Sequence, residues 1–189
     1  MLERFTVTEI LIGINILIFL LETLAGGSTT NKVALRFGAQ YTPYVRKGQY
    51  YRLVTAMFLH FGIYHLLANM YSLSVIGPTL EPICGRERYL LIYLGSGLAG
   101  NLATWASDSI RRKNVISAGA SGCIFGLLGA CLVIALLTGS RYMLSTRSIL
   151  TTLAINVIYG ISSRRVNMAA HLGGLAGGMI LMFLVLLFV

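Results

Sequence analysis

Six apolar runs punctuate the chain, at Thr6 to Ala25, Leu53 to Gly77, Tyr89 to Trp105, Gly119 to Thr138, Ser148 to Ile161 and Met168 to Val189. At about 1.5 Å of rise per residue, a helix needs roughly twenty apolar residues to cross a bilayer core. The pattern predicts an all-α fold: a polytopic membrane helix bundle with six transmembrane helices, forming one domain over residues 1–189. The fifth run is the shortest. The first could be a secretory signal, because Leu24, Ala25 and Gly26 resemble a cleavage region, but Glu9, Asn15 and Glu22 interrupt it and Arg4 alone supplies a basic start. Connections are short except Gly26 to Arg52, where Gly26, Gly27, Ser28, Pro43 and Gly48 are turn signals. This long first loop mixes Tyr41, Tyr44, Tyr50 and Tyr51 with Lys32, Arg36, Arg46, Lys47 and Arg52, which predicts an interfacial position at headgroup level.

Composition narrows the class. The 189 residues are 56% hydrophobic and 11% charged, too little polar surface to coat a soluble enzyme and too apolar for a disordered chain. Three cysteines, Cys84, Cys123 and Cys131, do not make a disulfide scaffold. The last two share one apolar run at a spacing of about 12 Å on a helix, beyond bridging distance. A net charge of +9 raises the question of nucleic acid, yet the basic residues fall between apolar runs and form no aromatic-interleaved stripe. They read as membrane-flanking charges. Five of them share a face with the amino terminus and ten lie on the other, and leaving out the first loop equalises the two. Charge alone does not settle sidedness.

Polar side chains inside a bilayer are costly and tend to be functional. Four stand out: His65, Asn69, Ser121 and His171. Runs two, four and six cross in the same direction, so Ser121 at the start of run four and His171 early in run six should share a depth. His65 and Asn69 are four apart, about 40° around a helix, and point the same way. Gly119, Ala120, Ser121 and Gly122 would hold a serine among small residues at a helix amino terminus, where free N–H groups favour developing negative charge. His171 could act as its base, and His65, Asn69 and the Ser121 amide could bind an oxyanion. No acid near His171 completes a triad, so a Ser-His dyad is the economical reading. Competing with it is plain helix packing. Gly122 with Gly126, Gly173 with Gly177 and Gly174 with Gly178 are small-xxx-small pairs, and interhelical hydrogen bonds or a proton relay would use the same side chains. His60, about 140° from His65 on a continuous helix, would serve the loop boundary. No metal or other cofactor is implied, because the histidines lack carboxylate or thiolate companions at a common depth.

These motifs together resemble the rhomboid family of intramembrane serine proteases. The family's GxSG stands as GASG at Gly119 to Gly122, and its histidine-glycine segment in the last span as AHLGGLAGG around His171. HxxxN stands at His65 to Asn69 with His60 upstream, and ExxxGxxR as Glu81, Gly85 and Arg88, followed by YLGSGLAG from Tyr93. The resemblance implies that Ser121 is the nucleophile, His171 its general base, and His65 and Asn69 oxyanion donors beside the Ser121 amide. It leaves structural roles to His60, Glu81 and Arg88. Gly119 and Gly122 would support the nucleophile, and Phe125, one turn after Ser121, could pack on the catalytic histidine. The family's Trp-Arg pair is Tyr51-Arg52 here. By the same resemblance the chain is a minimal six-span form of a bacterial plasma membrane, amino terminus cytoplasmic and site opening outward, against the raw charge count. Its partners would be transmembrane protein substrates and the lipid bilayer, with no nucleic acid. A non-catalytic relative that binds membrane helices is the alternative, although such relatives lose the serine or histidine. A transporter would need an inverted repeat or paired broken helices, and neither is visible.

Overall fold

A computed structural model describes residues 5–138, 147, 149–154 and 166–187. Helix α1 (Val7–Leu24) begins with a capping box: the Thr6 hydroxyl accepts the Glu9 N–H at 3.1 Å, and the Glu9 carboxylate accepts the Thr6 N–H at 2.8 Å. A second carboxylate reinforces this end. Glu81 accepts the Val7 N–H at 2.7 Å, and the Thr8 N–H and hydroxyl at 2.9 and 2.8 Å, so a distant helix holds the first orphan donors of α1.

The stretch from Gly26 to Arg52 is more ordered than a loop. It folds into α2 (Asn31–Phe37), a short strand β1 (Gln40–Tyr41) and α3 (Thr42–Arg46), and leads into α4 (Arg52–Thr55) and one 3₁₀ turn, Ala56–Phe58. Arg52 is the hub. Its buried guanidinium donates to the carbonyls of Leu35 and Ala39, both at 2.9 Å, and to Gln49 Oε1 at 2.7 Å, and it lies over the rings of Tyr44 and Tyr51. Five donors in a rigid fork suit this multi-point role, which is local and therefore hidden from apolar periodicity.

The run expected over Leu53 to Gly77 is broken. Helix α5 (Ile63–Cys84) is set at 89° to the Arg52–Phe58 piece, and the bend falls at residues 59–62, where Gly62 has φ +86°. It continues past Gly77 through Pro78 and Pro82 and stops at Gly85. Helix α6 (Arg86–Ile110) follows, then strand β2 (Ile116–Ser117), α7 (Ser121–Thr138) and α8 (Met168–Leu187). β1 and β2 pair antiparallel, Gln40 with Ser117 and Tyr41 with Ile116, joining the first and third connections on one end of the bundle. Residues 149–154 are helical, while the rest of the fifth expected run, 148 and 155–161, lies outside the described residues.

Among the described residues, α1, α7 and α8 are long and apolar enough to cross a membrane, and the bent pair would be a fourth. Helix α6 is long enough, but its run is diluted by Ser96, Gly97, Gly100, Asn101 and Thr104, all buried. Those small residues face protein, so the dilution reflects packing. The helices α6, α7 and α8 meet backbone to backbone. A Cβ on Gly174 would collide with the Gly122 carbonyl, one on Gly178 with the Gly126 carbonyl, and one on Gly126 with Ser96. Helix α7 is consequently sheathed, whereas Leu17, Leu20, Leu67, Leu102 and Ile180 of other helices face outward. Cys84, Cys123 and Cys131 are buried free thiols.

Gly174→Val should force α7 and α8 apart and lower stability by about 1–3 kcal/mol. Gly13→Ala, with nothing within 4 Å of the new Cβ, should be neutral or stabilising. Unfolding of detergent-solubilised protein by SDS checks both; equal midpoints would contradict the packing argument.

Candidate active site

Three helices start at the end of the bundle that carries the β1–β2 pair, and each carries a candidate residue in its first turn. His65 is the third residue of α5, Ser121 the first of α7 and His171 the fourth of α8. The turn before α7 sets their spacing. Gly119 has φ +141°, a conformation that L side chains rarely adopt, and its N–H donates to the Ala56 carbonyl at 2.9 Å. A Cβ there would lie 2.8 Å from His65 Cε1, 2.9 Å from His65 Nε2 and 3.8 Å from Ser121 Oγ. The missing side chain thus leaves a small space bordered by the imidazole edge of His65 and the Ser121 hydroxyl. Ser121 itself is half-buried and begins the helix, with the unpaired N–H groups of a first turn beside it.

Hydrogen bonding assigns the state of His65. Its Nδ1 accepts the Phe61 N–H at 3.3 Å, so a neutral ring carries its proton on Nε2 and presents a donor toward the space beside Ser121. Asn69, buried one turn later, donates one amide hydrogen to the His65 carbonyl at 3.0 Å. The break at 59–62 alters the position of His60. Its ring meets that of His65 edge-on at 5.0 Å, so it buttresses the oxyanion candidate, whereas an unbroken helix would turn it away.

His171 is reached across the glycine seam. Phe125, one turn after Ser121, stacks on the His171 ring with centroids 4.1 Å apart and planes inclined by 18°. Such a stack fixes the plane of the imidazole beside the first turn of α7. His171 is 8% exposed, its Nδ1 has no hydrogen-bond partner, and it lies within electrostatic range of His65. Gly122 permits the approach, since a Cβ there would already touch the Ala170 carbonyl at 3.4 Å. Among the described residues Ser121 Oγ makes no hydrogen bond to His171. Nor do three His, Cys, Asp or Glu side chains converge as a metal site would require.

Two polar residues do work that the motifs did not indicate. Asn167 caps α8: its Oδ1 accepts the Ala170 N–H at 3.1 Å, while its Nδ2 donates to Thr104 Oγ1 at 3.0 Å and Ser117 Oγ at 2.7 Å. It ties the start of α8, four residues before His171, to α6 and β2. An Asn immediately before an apolar run is a helix-start signal that could have revealed it. Glu22, buried in the last turn of α1, accepts the His60 N–H at 3.2 Å and so holds the bend in α5's approach. A carboxylate within an apolar run is the signal there.

The sequence matches the family model of the Rhomboid domain over residues 47–188. The chain therefore belongs to the rhomboid family, and it is an integral membrane protein. It is 36% identical over 174 residues to rhomboid protease GluP of Bacillus subtilis (strain 168), covering 92% of this chain and 33% of GluP. It is 40% identical over 144 residues to YdcA of the same bacterium, covering 74% of this chain and 69% of YdcA. RHOMBOID-like protein 1 of Arabidopsis thaliana is 41% identical over 146 residues, 76% of this chain and 36% of that protein. The chain thus spans about a third of the length of GluP and of the plant protein.

Asn167→Ala removes the cap and two interhelical ties together. It should cost about 1–2 kcal/mol by cap loss alone, seen as a lowered thermal midpoint in detergent. A midpoint equal to that of the parent protein would contradict the anchoring role.

Proposed function

We propose that this chain is a serine endopeptidase that hydrolyses peptide bonds in or near the transmembrane segments of membrane proteins. A substrate helix enters from the lipid, unwinds locally and offers a carbonyl carbon to Ser121 Oγ, whose proton passes to His171. The resulting oxyanion is met by the Ser121 N–H, the Nε2–H of His65 and the free amide hydrogen of Asn69. His171 returns its proton to the leaving amine, and water then hydrolyses the acyl-enzyme, His171 again taking the proton. Gly119 and Gly122 keep the space clear, and Phe125 holds the base in plane. Six membrane spans in one domain carry this site, in keeping with the six apolar runs of the sequence.

The observation that carries the proposal is the Phe125–His171 stack across the Gly122/Gly174 seam, next to the helix start that bears Ser121. It sets the His171 imidazole against the helix that Ser121 begins, while His65 and the Ser121 hydroxyl border the space at Gly119. Nucleophile-to-base hydrogen bonds often tighten only once substrate is bound.

A fluorophosphonate probe should label the purified protein at Ser121, and Ser121→Ala should abolish both labelling and cleavage of a transmembrane reporter. His171→Ala should do the same while leaving the thermal midpoint close to that of the parent protein. Asn69→Ala should lower kcat by about 10²-fold, the usual effect of removing one oxyanion donor. Cleavage surviving in purified Ser121→Ala would overturn the proposal.

A further inference from the structure

The end of the bundle that bears Ser121 is also the cationic end. Arg46 and Lys47 close α3, Arg111, Arg112 and Lys113 follow directly after α6, and all five are exposed. Separate in sequence, they are joined in space: β1 pairs with β2, and Arg46 Nη2 donates to the Ser109 carbonyl at 3.3 Å. Asp108, partly buried and within electrostatic reach of Lys113 and Arg111, is the one carboxylate among residues 23–80 and 88–189. The far end differs. Helix α5 runs 22 residues, about 33 Å, to the Gly85 turn, where Arg86 and Arg88 stand with Glu9, Glu81 and Glu87.

The cations are interleaved with side chains that seek an apolar phase. Ile110 is 83% exposed immediately before Arg111, and Tyr50, Tyr51 and Val115 are each more than half exposed. Tyr50 meets Trp105 edge-on, with ring centroids 6.4 Å apart. A soluble acidic peptide would pair with the cations and leave Ile110 and Val115 in water. A phospholipid surface accepts both, taking the aliphatic and aromatic groups at the acyl boundary and the cations at phosphate depth. We propose that this face binds anionic phospholipid headgroups, those whose phosphate has no compensating ammonium, through Arg46, Lys47, Arg111, Arg112 and Lys113. The proposal is independent of whether Ser121 is a nucleophile.

Trp105 is the chain's single tryptophan and lies on this face, so it reports directly. The full chain in mixed micelles is titrated with brominated phosphatidylglycerol or brominated phosphatidylcholine while Trp105 emission is followed. The expected result is a relative binding constant at least about fivefold in favour of the anionic lipid. That preference should vanish near about 0.5 M salt, where exposed charges are screened. In R111Q/R112Q/K113Q the preference should fall to near unity while quenching by the zwitterionic lipid matches the parent protein. If that variant does not fold, Lys47→Glu in the other connection should reduce the preference and makes the same test. Equal quenching by the two lipids in the parent protein, or a preference that survives salt or the substitutions, would overturn the assignment. So would an Asp/Glu-rich decapeptide that shifts Trp105 emission where the anionic lipid has no preference, since the face would then dock protein.

Discussion

The rest of the structure depends on contact between helix backbones at the α7–α8 seam, with α6 closing over it. Lipid tails are as apolar as leucine, so helices in a bilayer gain little from burying leucine against leucine. Close approach through glycine yields dispersion contact and excludes lipid from the interior. Gly122 against Gly174 and Gly126 against Gly178 set the distance, and Ser96 and Gly100 of α6 fill what remains. At that distance the first turns of α7 and α8 become neighbours, and Phe125 reaches the His171 ring.

Polar groups are expensive in such an interior, and those present are spent on joining elements. Glu81 holds the start of α1, Glu22 holds the bend before α5, Asn101 donates to the Leu53 carbonyl at 2.8 Å, and Asn167 holds the start of α8. Each satisfies a backbone or hydroxyl partner that a neighbouring helix leaves open. Among the described residues, the buried polar atoms left without a partner are spread over Asn15, Gln40, Thr42, Tyr93 and Trp105 as well as two histidines. His60 keeps both ring nitrogens without partners, and His171 keeps Nδ1 so.

Much of this was legible in linear order. The apolar runs marked α1, α7 and α8; Ser121 and His171 fall in the first turns of the last two, and His65 in the first turn of α5. Less legible was the region from residue 26 to 62. Its short helices, the Arg52 hub and the 89° bend are organised by side-chain-to-carbonyl bonds and by glycines of positive φ, neither of which leaves an apolar period. His60 shows the consequence: counted along a continuous helix it turns away from His65, and across the bend it touches it. Helix α6 shows another, because small buried residues weaken its apolar signal while strengthening its packing.

What the sequence by itself determined was the solvent in which the chain lives and which polar residues are carried into it. Both follow from the transfer cost of side chains, which is a property of composition and spacing. Which of those residues meet was decided by tertiary structure. Angles between helices, the tautomer of His65, the stack on His171 and the union of two basic connections by a two-residue strand pair depend on contacts between distant segments. Such contacts form only when backbone donors and carbonyls find each other in space.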